Sequence, residues 1–127
     1  KKLEAEGLFG SRGLSSPGFY LHYVMGHGGQ PATMKQLMYI FEEGKKLFPD
    51  AEVCVSAAAD DCYTIITTAL LLGCNMVRCG IEDSHKLSNG RMATSNVEIV
   101  ENVVRIAEEI GRNIASVEDA KKMLMPE

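Results

Sequence analysis

From Phe19 onward the apolar positions switch between two spacings, and the switches mark out the elements. Residues 19–25, FYLHYVM, are rich in aromatic and β-favouring side chains and run into the glycine-bearing segment GHGGQP, which reads as a strand and its closing loop. From Thr33 to Phe48, Met34, Leu37, Met38, Phe41 and Leu47 fall at helical spacing, Thr33 and Gln36 offer a capping box, and Pro49 with Asp50 ends the helix. Glu52–Ala57, EVCVSA, is a second strand-like run, followed by Asp60 and Asp61 as candidate N-cap acids. Tyr63 to Leu72 is apolar almost all round, as suits a helix packed on a sheet with further cover outside, and Gly73 supplies a stop. Asn75 to Asp83, NMVRCGIED, reads as the third strand. After a polar loop over Ser84–Thr94, Ser95 and Glu98 open a helix carrying Val97, Val100, Val103, Val104, Ala107 and Ile110, with Gly111 at its end. Glu101 and Arg105 lie one turn apart on it and can pair. Ser116 caps a terminal helix over Val117–Leu124.

The order is βα three times over. Such alternation predicts an α/β fold with parallel strands, right-handed crossovers and functional loops gathered at the C-terminal ends of the strands. Three strands are few for a doubly wound sheet or for a closed barrel of eight. Residues 1–18, KKLEAEGLFGSRGLSSPG, read as the tail of an earlier helix and a Gly/Ser/Pro loop, as in a chain divided between two βα units.

The third strand carries the candidate chemistry. If extended throughout, it places Val77, Cys79 and Ile81 on one face and Arg78, Gly80 and Glu82 on the other. A strand covered on both sides carries apolar residues on both, because an unpaired buried charge is expensive. Arg78 and Glu82 therefore mark either a site at the strand's C-terminal end or a buried ion pair. Asp83, in the same regular strand, points with Ile81 toward the helices.

Composition narrows the function classes. The 127 residues fit one domain; 46% are hydrophobic, 24% charged, and the net charge is −4, which lacks the basic excess of a nucleic-acid binder. The apolar run around Ala69–Leu72 falls far short of the ~20 residues of a bilayer span. KKLEAEGLFG has no apolar signal core, so the cytoplasm is the default. Cys54, Cys62, Cys74 and Cys79 contain no C-x-x-C pair and read as buried thiols, and Met34, Met38, Met123 and Met125 as core and end packing.

The run VRCGIED (77–83), Asn89–Gly90, SNVEIVENVVRIAEEIGR (95–112) and ASVEDAKKML (115–124) together resemble the C-terminal part of the β-keto acid cleavage enzymes, the family typified by 3-keto-5-aminohexanoate cleavage enzyme. MGHGGQPAT (25–33) is similar to that family's glycine-bearing loop. The resemblance implies a (β/α)8 TIM-barrel fold of which this chain covers about the last three βα units, residues 19–127 following the end of a preceding helix. It implies an acyltransferase of the kind used in lysine fermentation: a β-keto acid and acetyl-CoA give acetoacetate and a new acyl-CoA by Claisen and retro-Claisen steps. The family holds a divalent metal, usually zinc, by two histidines from an early strand and by the glutamate of R-x-G-x-E-D. Glu82 matches that glutamate, and His22, His27 and His85 do not supply the histidine pair. The motif's arginine and aspartate act in proton transfer, which assigns those roles to Arg78 and Asp83. Gly28, Gly29 and His85 become substrate contacts, and the protein a cytoplasmic homo-oligomer. VSAAADD (55–61) departs from the family's glycine- and arginine-bearing turn.

Other readings stay open on the residues alone. The chain reads also as a non-catalytic half-barrel that self-associates or needs a missing N-terminal half, or as an anion-binding domain that uses the helix N-terminus after GHGG. His27 then merely ends a strand, His22 is a satisfied core or interface histidine, and His85 is a solvated loop residue.

Overall fold

A computed structural model of the chain describes residues 20–58 and 62–125. The helix tail and loop expected over residues 1–18, Phe19, and the N-cap acids Asp60 and Asp61 lie outside the described residues. Strands β1 (Tyr20–Met25), β2 (Glu52–Ala57) and β3 (Met76–Arg78) form a parallel sheet in the order β1-β2-β3. Helices α1 (Met34–Leu47), α2 (Cys62–Leu71), α3 (Asn96–Glu109) and α4 (Val117–Leu124) complete the alternation. The fold is thus α/β with a small parallel sheet.

Period 2 separates the two faces of the sheet. Met25, Val53, Val55 and Ala57 pack with Leu37 of α1, Ile65, Ile66, Ala69 and Leu70 of α2, and Val103 and Ala107 of α3, with Tyr23 and Val77 at the margin. Full burial of side chains such as Ile66 or Val55 stabilises by about 1.5–3 kcal/mol each, so this helix-facing layer is the core. The alternate positions Tyr20, His22 and Val24 are exposed, and Tyr20 and Val24 keep 50% and 43% of their surface in solvent. In register with them lie Glu52, Cys54 and Ser56 of β2, then Met76 and Arg78 of β3. The second face therefore mixes polar side chains with Val24, Cys54 and Met76 and lacks a helix layer among the described residues.

The helix ends follow their local chemistry. Thr33 Oγ1 accepts from the Gln36 N–H at 3.2 Å, but the Gln36 amide turns to Gln30 Oε1, so only half of the expected box forms. Ser116 and Asp119 make the complete reciprocal box on α4. Gly73 and Gly111 adopt φ of +89° and +78°, and the next residue's N–H reaches back to Ala69 and Ala107 respectively, closing α2 and α3 with the six-to-one bond that a left-handed glycine permits. Arg105 lies 3.9 Å from Glu109 and donates to Asn102, in place of the expected Glu101. Met34, Met38 and Met125 are exposed rather than packed. All four cysteines are free; burial pushes the Cys62 and Cys74 thiols up to about 11, while Cys54 and Cys79 are half-buried.

The third strand is shorter than its alternation suggests. It pairs with β2 only from Met76 to Arg78, and the backbone then turns, with the Gly80 carbonyl accepting from the N–H groups of Asp83 and Ser84 at 2.9 and 3.1 Å. Gly80 and Glu82 consequently do not continue the face that carries Arg78.

Candidate functional site

Arg78 ends β3 on the second face, beside Ser56 of β2. The turn that follows folds the acids back toward it. Arg78 Nη2 donates to Asp83 Oδ1, and its Nη1 lies 4.0 Å from Glu82 Oε1. The two acids sit in different surroundings: the Asp83 side chain is 6% exposed, Glu82 84%, and Arg78 47%. The Asp83 hydrogen bond and charge push the Arg78 guanidinium's pKa up, so it remains a cation at any physiological pH. In a regular strand Asp83 would have faced the helices; the turn sends it inward to Arg78 and leaves Glu82 projecting.

A cavity of about 350 Å³ opens at this rim, walled by His27, Glu82, Asp83, Ser84, His85, Lys86 and Met92. It brings the loop after β1 against the turn after β3, as parallel strands require of loops at their C-terminal ends. Glu82, Asp83 and His85 are therefore gathered, with Arg78 joined through Asp83. Gly28 and Gly29 belong to the same β1 loop but do not wall the cavity. His27, which the sequence suggests merely ends a strand, does.

A second polar pair satisfies His22 through a partner that sequence reasoning does not name. His22 Nε2 lies 3.0 Å from Ser56 Oγ on the face that carries Arg78. The available signal was the alternation of His22 and Ser56 with apolar neighbours on their own strands. A larger cavity, about 460 Å³, lies among β3, α3 and α4, walled by residues such as Val77, Val103 and Met123. It is mainly apolar and takes in none of Arg78, Glu82 and Asp83.

His85 is held by a short antiparallel loop: the Ala93 N–H donates to the His85 carbonyl and the Leu87 N–H to that of Arg91, both at 2.8 Å. Glu98 ties this loop to α3, accepting from the Thr94 N–H at 2.6 Å, from Thr94 Oγ1 at 2.9 Å and from Arg91 Nη2 at 2.7 Å. These donors, Arg91 first, draw the Glu98 carboxyl's pKa from 4.5 down to about 2. A lowered carboxylate pKa favours the fold above the unfolded value of 4.5, and the benefit fades as pH falls from there toward 2. Glu98→Gln is expected to speed hydrogen exchange at the Thr94 amide at neutral pH and to flatten that acid limb; unchanged exchange would refute the anchoring role.

Among the described residues no group of three or more His, Cys, Asp or Glu side chains is gathered to hold a metal. No helix among them is long and apolar enough to cross a membrane.

Comparison with known proteins identifies the family of the chain. The sequence profile of the beta-keto acid cleavage enzymes matches residues 2–125. The chain is 33% identical over 106 residues to the 3-keto-5-aminohexanoate cleavage enzyme of Acetoanaerobium sticklandii, covering 83% of this chain and 37% of that protein. It is 40% identical over 62 residues to the enzyme of the same name from Fusobacterium nucleatum, covering 49% of this chain and 22% of the relative. Identity to the 3-oxoadipate:acetyl-CoA acetyltransferase of Cupriavidus necator is 30% over 106 residues, again 83% and 37% of the two chains. The chain thus spans between 22% and 37% of the length of these relatives. With nearly its whole length accounted for by one profile, this chain belongs to the beta-keto acid cleavage enzyme family.

Proposed function

We propose that this chain is the C-terminal part of an enzyme that uses acetyl-CoA to cleave a β-keto acid, yielding acetoacetate and a new acyl-CoA. The observation that carries the reading is the pairing of Arg78 with the buried Asp83 beside the projecting Glu82, at a rim cavity shared with the β1 loop, in a chain of this family. A parallel sheet with helices on one face and a mixed second face without a helix layer suits the wall of a (β/α)8 barrel. Residues 19–127 would be its last three βα units, and His22, Ser56 and Arg78 would look into its lumen.

Asp83, oriented by Arg78, removes the proton from the carbon between the two carbonyls of the keto acid. That carbon bonds to the acetyl carbon of acetyl-CoA and CoA thiolate leaves. The thiolate attacks the original keto carbonyl, the adjoining carbon–carbon bond breaks, and acetoacetate departs as its enolate, recovering the proton from Asp83. Arg78 stabilises the negative charge as it moves. The loop carrying Gly28 and Gly29, together with His85, would contact the substrate from either side of the cavity. Glu82's projecting carboxylate suits one ligand of a divalent cation such as zinc, whose remaining ligands would come from beyond the described residues. Such an ion would polarise the keto oxygen as a Lewis acid. The full-length protein would act as a cytoplasmic homo-oligomer.

The test is to supply the full-length protein with acetyl-CoA, divalent metal and a panel of β-keto acids, and to measure both products by mass spectrometry. Acetoacetate and a new acyl-CoA are expected in equal amounts from at least one substrate. Their absence across the panel would refute the reading.

A further inference from the structure

We infer that Asn96 is a positioning residue for the turn that bears Glu82 and Asp83, an inference that rests on the roles proposed for those acids. Asn96 is the first residue of α3, where Ser95 already accepts from the Glu98 N–H as the helix cap. Its side chain is used elsewhere: Asn96 Oδ1 accepts from the Ile81 N–H at 2.8 Å. Ile81 directly precedes Glu82, so this bond ties the Gly80–Ile81 peptide, one residue before the two acids, to the start of α3.

A separate observation supports the pairing. The atom nearest to where a Cβ on Gly80 would stand is Asn96 Oδ1, at 3.1 Å, and its only other neighbour within 4 Å is Asn96 Cγ. No left-handed φ is recorded at Gly80, so the glycine serves to leave room for Asn96 rather than to permit an unusual backbone. The turn is then held at three points: by its own bonds to the Gly80 carbonyl, by Arg78 on Asp83, and by Asn96 on Ile81. Without the third, Arg78 still grips Asp83 and the Gly80 carbonyl still accepts from Asp83 and Ser84, but the N–H end of the Gly80–Ile81 peptide loses its anchor to α3. The two acids lose their relative placement while the core is untouched.

The experiment uses the full-length protein and four variants: Asn96→Ala, Asn96→Asp, Gly80→Ala and the double variant Gly80→Ala/Asn96→Ala. Asn96→Ala is expected to lower kcat by about tenfold to a hundredfold, the range for slight misplacement of a reacting group. KM should stay within about threefold, since the loss falls on transition-state interactions. Asn96→Asp keeps an acceptor for the Ile81 N–H and should recover most of the turnover. Gly80→Ala should lower Tm and kcat in the native background but leave both unchanged once Asn96 is alanine, because the new methyl then meets nothing. Native kcat in Asn96→Ala, equal loss in Asn96→Asp, or the same fall in Tm from Gly80→Ala in both backgrounds would each overturn the inference. If Asn96→Ala does not fold, the other single variants decide: slow Asn96→Asp overturns it, and native Asn96→Asp with slow Gly80→Ala supports it. A wild-type protein without keto acid cleavage would instead sink the proposed function. The Tm cycle and the exchange rate of the Ile81 amide would then still report whether Asn96 holds the turn.

Discussion

Asp83→Asn is expected to cut turnover of the full-length protein by about 10² to 10⁴-fold, the contribution of a positioned acid–base group, while leaving the fold intact. The asparagine keeps the shape of the side chain and one oxygen to accept from Arg78, but it cannot take a proton. Arg78→Met should be comparably slow and also less stable. It strands the Asp83 carboxylate, whose side chain is 6% exposed, with its guanidinium partner gone. Leaving a buried acceptor unpaired costs about 1–3 kcal/mol. The larger penalty of breaking a fully buried ion pair does not apply, because Arg78 is 47% exposed and water can reach the vacated side. Steady-state kinetics and thermal unfolding on both variants separate the two readings of this pair. If both lose stability yet turn over at the native rate, Arg78 and Asp83 are a structural ion pair and the chemistry lies elsewhere.

Most of the architecture was legible because local patterns and long-range packing agree. EVCVSA coincides with β2, and Thr33 and Ser95 accept the N–H groups expected of them. Agreement between local preference and the global fold is what makes such elements readable. The run from Asn75 to Asp83 is different. Val77, Cys79 and Ile81 satisfy a two-residue period, yet strand pairing with β2 ends at Arg78 and a helix fifteen residues downstream claims the Ile81 N–H. Alternation reports which side chains can share a face; it does not report where the neighbouring strand stops offering hydrogen bonds. The same limit governs the site. Arg78, Glu82 and Asp83 stand close in sequence, and a charge in an apolar run is conspicuous. His27 joins Glu82 only through the parallel register of three strands, and His22 meets Ser56 across thirty-four positions. In neither case does the local sequence name the partner.

Gly29→Ala is expected to be among the most damaging single substitutions in the chain, and Gly28→Ala, one position earlier, far less so. Gly29 donates its N–H to the Gly26 carbonyl at 2.7 Å, and the Gln30 N–H returns to the Val24 carbonyl at 2.8 Å, so the loop doubles back on the end of β1. A Cβ on Gly29 would overlap the Val24 carbonyl oxygen and press on the Val24 side chain. Backbone cannot swing aside as a side chain can, which places the cost near the upper end of overpacking, about 3 kcal/mol. Gly28 has φ of +73° and open space where a Cβ would stand. Alanine there meets only the strain of a left-handed backbone, about 1–2 kcal/mol. In the full-length protein, Gly29→Ala should lower Tm, displace His27 from the rim cavity and raise KM. Gly28→Ala should fold nearly as well, so any rise in its KM reports on substrate contact by the loop rather than on its folding. If Gly29→Ala matches the native Tm, the loop is not braced against Val24 and its glycines need another explanation. If Gly28→Ala binds and turns over as the native protein does, Gly28 is not a substrate contact, and the β1 loop's part in the site reduces to holding His27 in place.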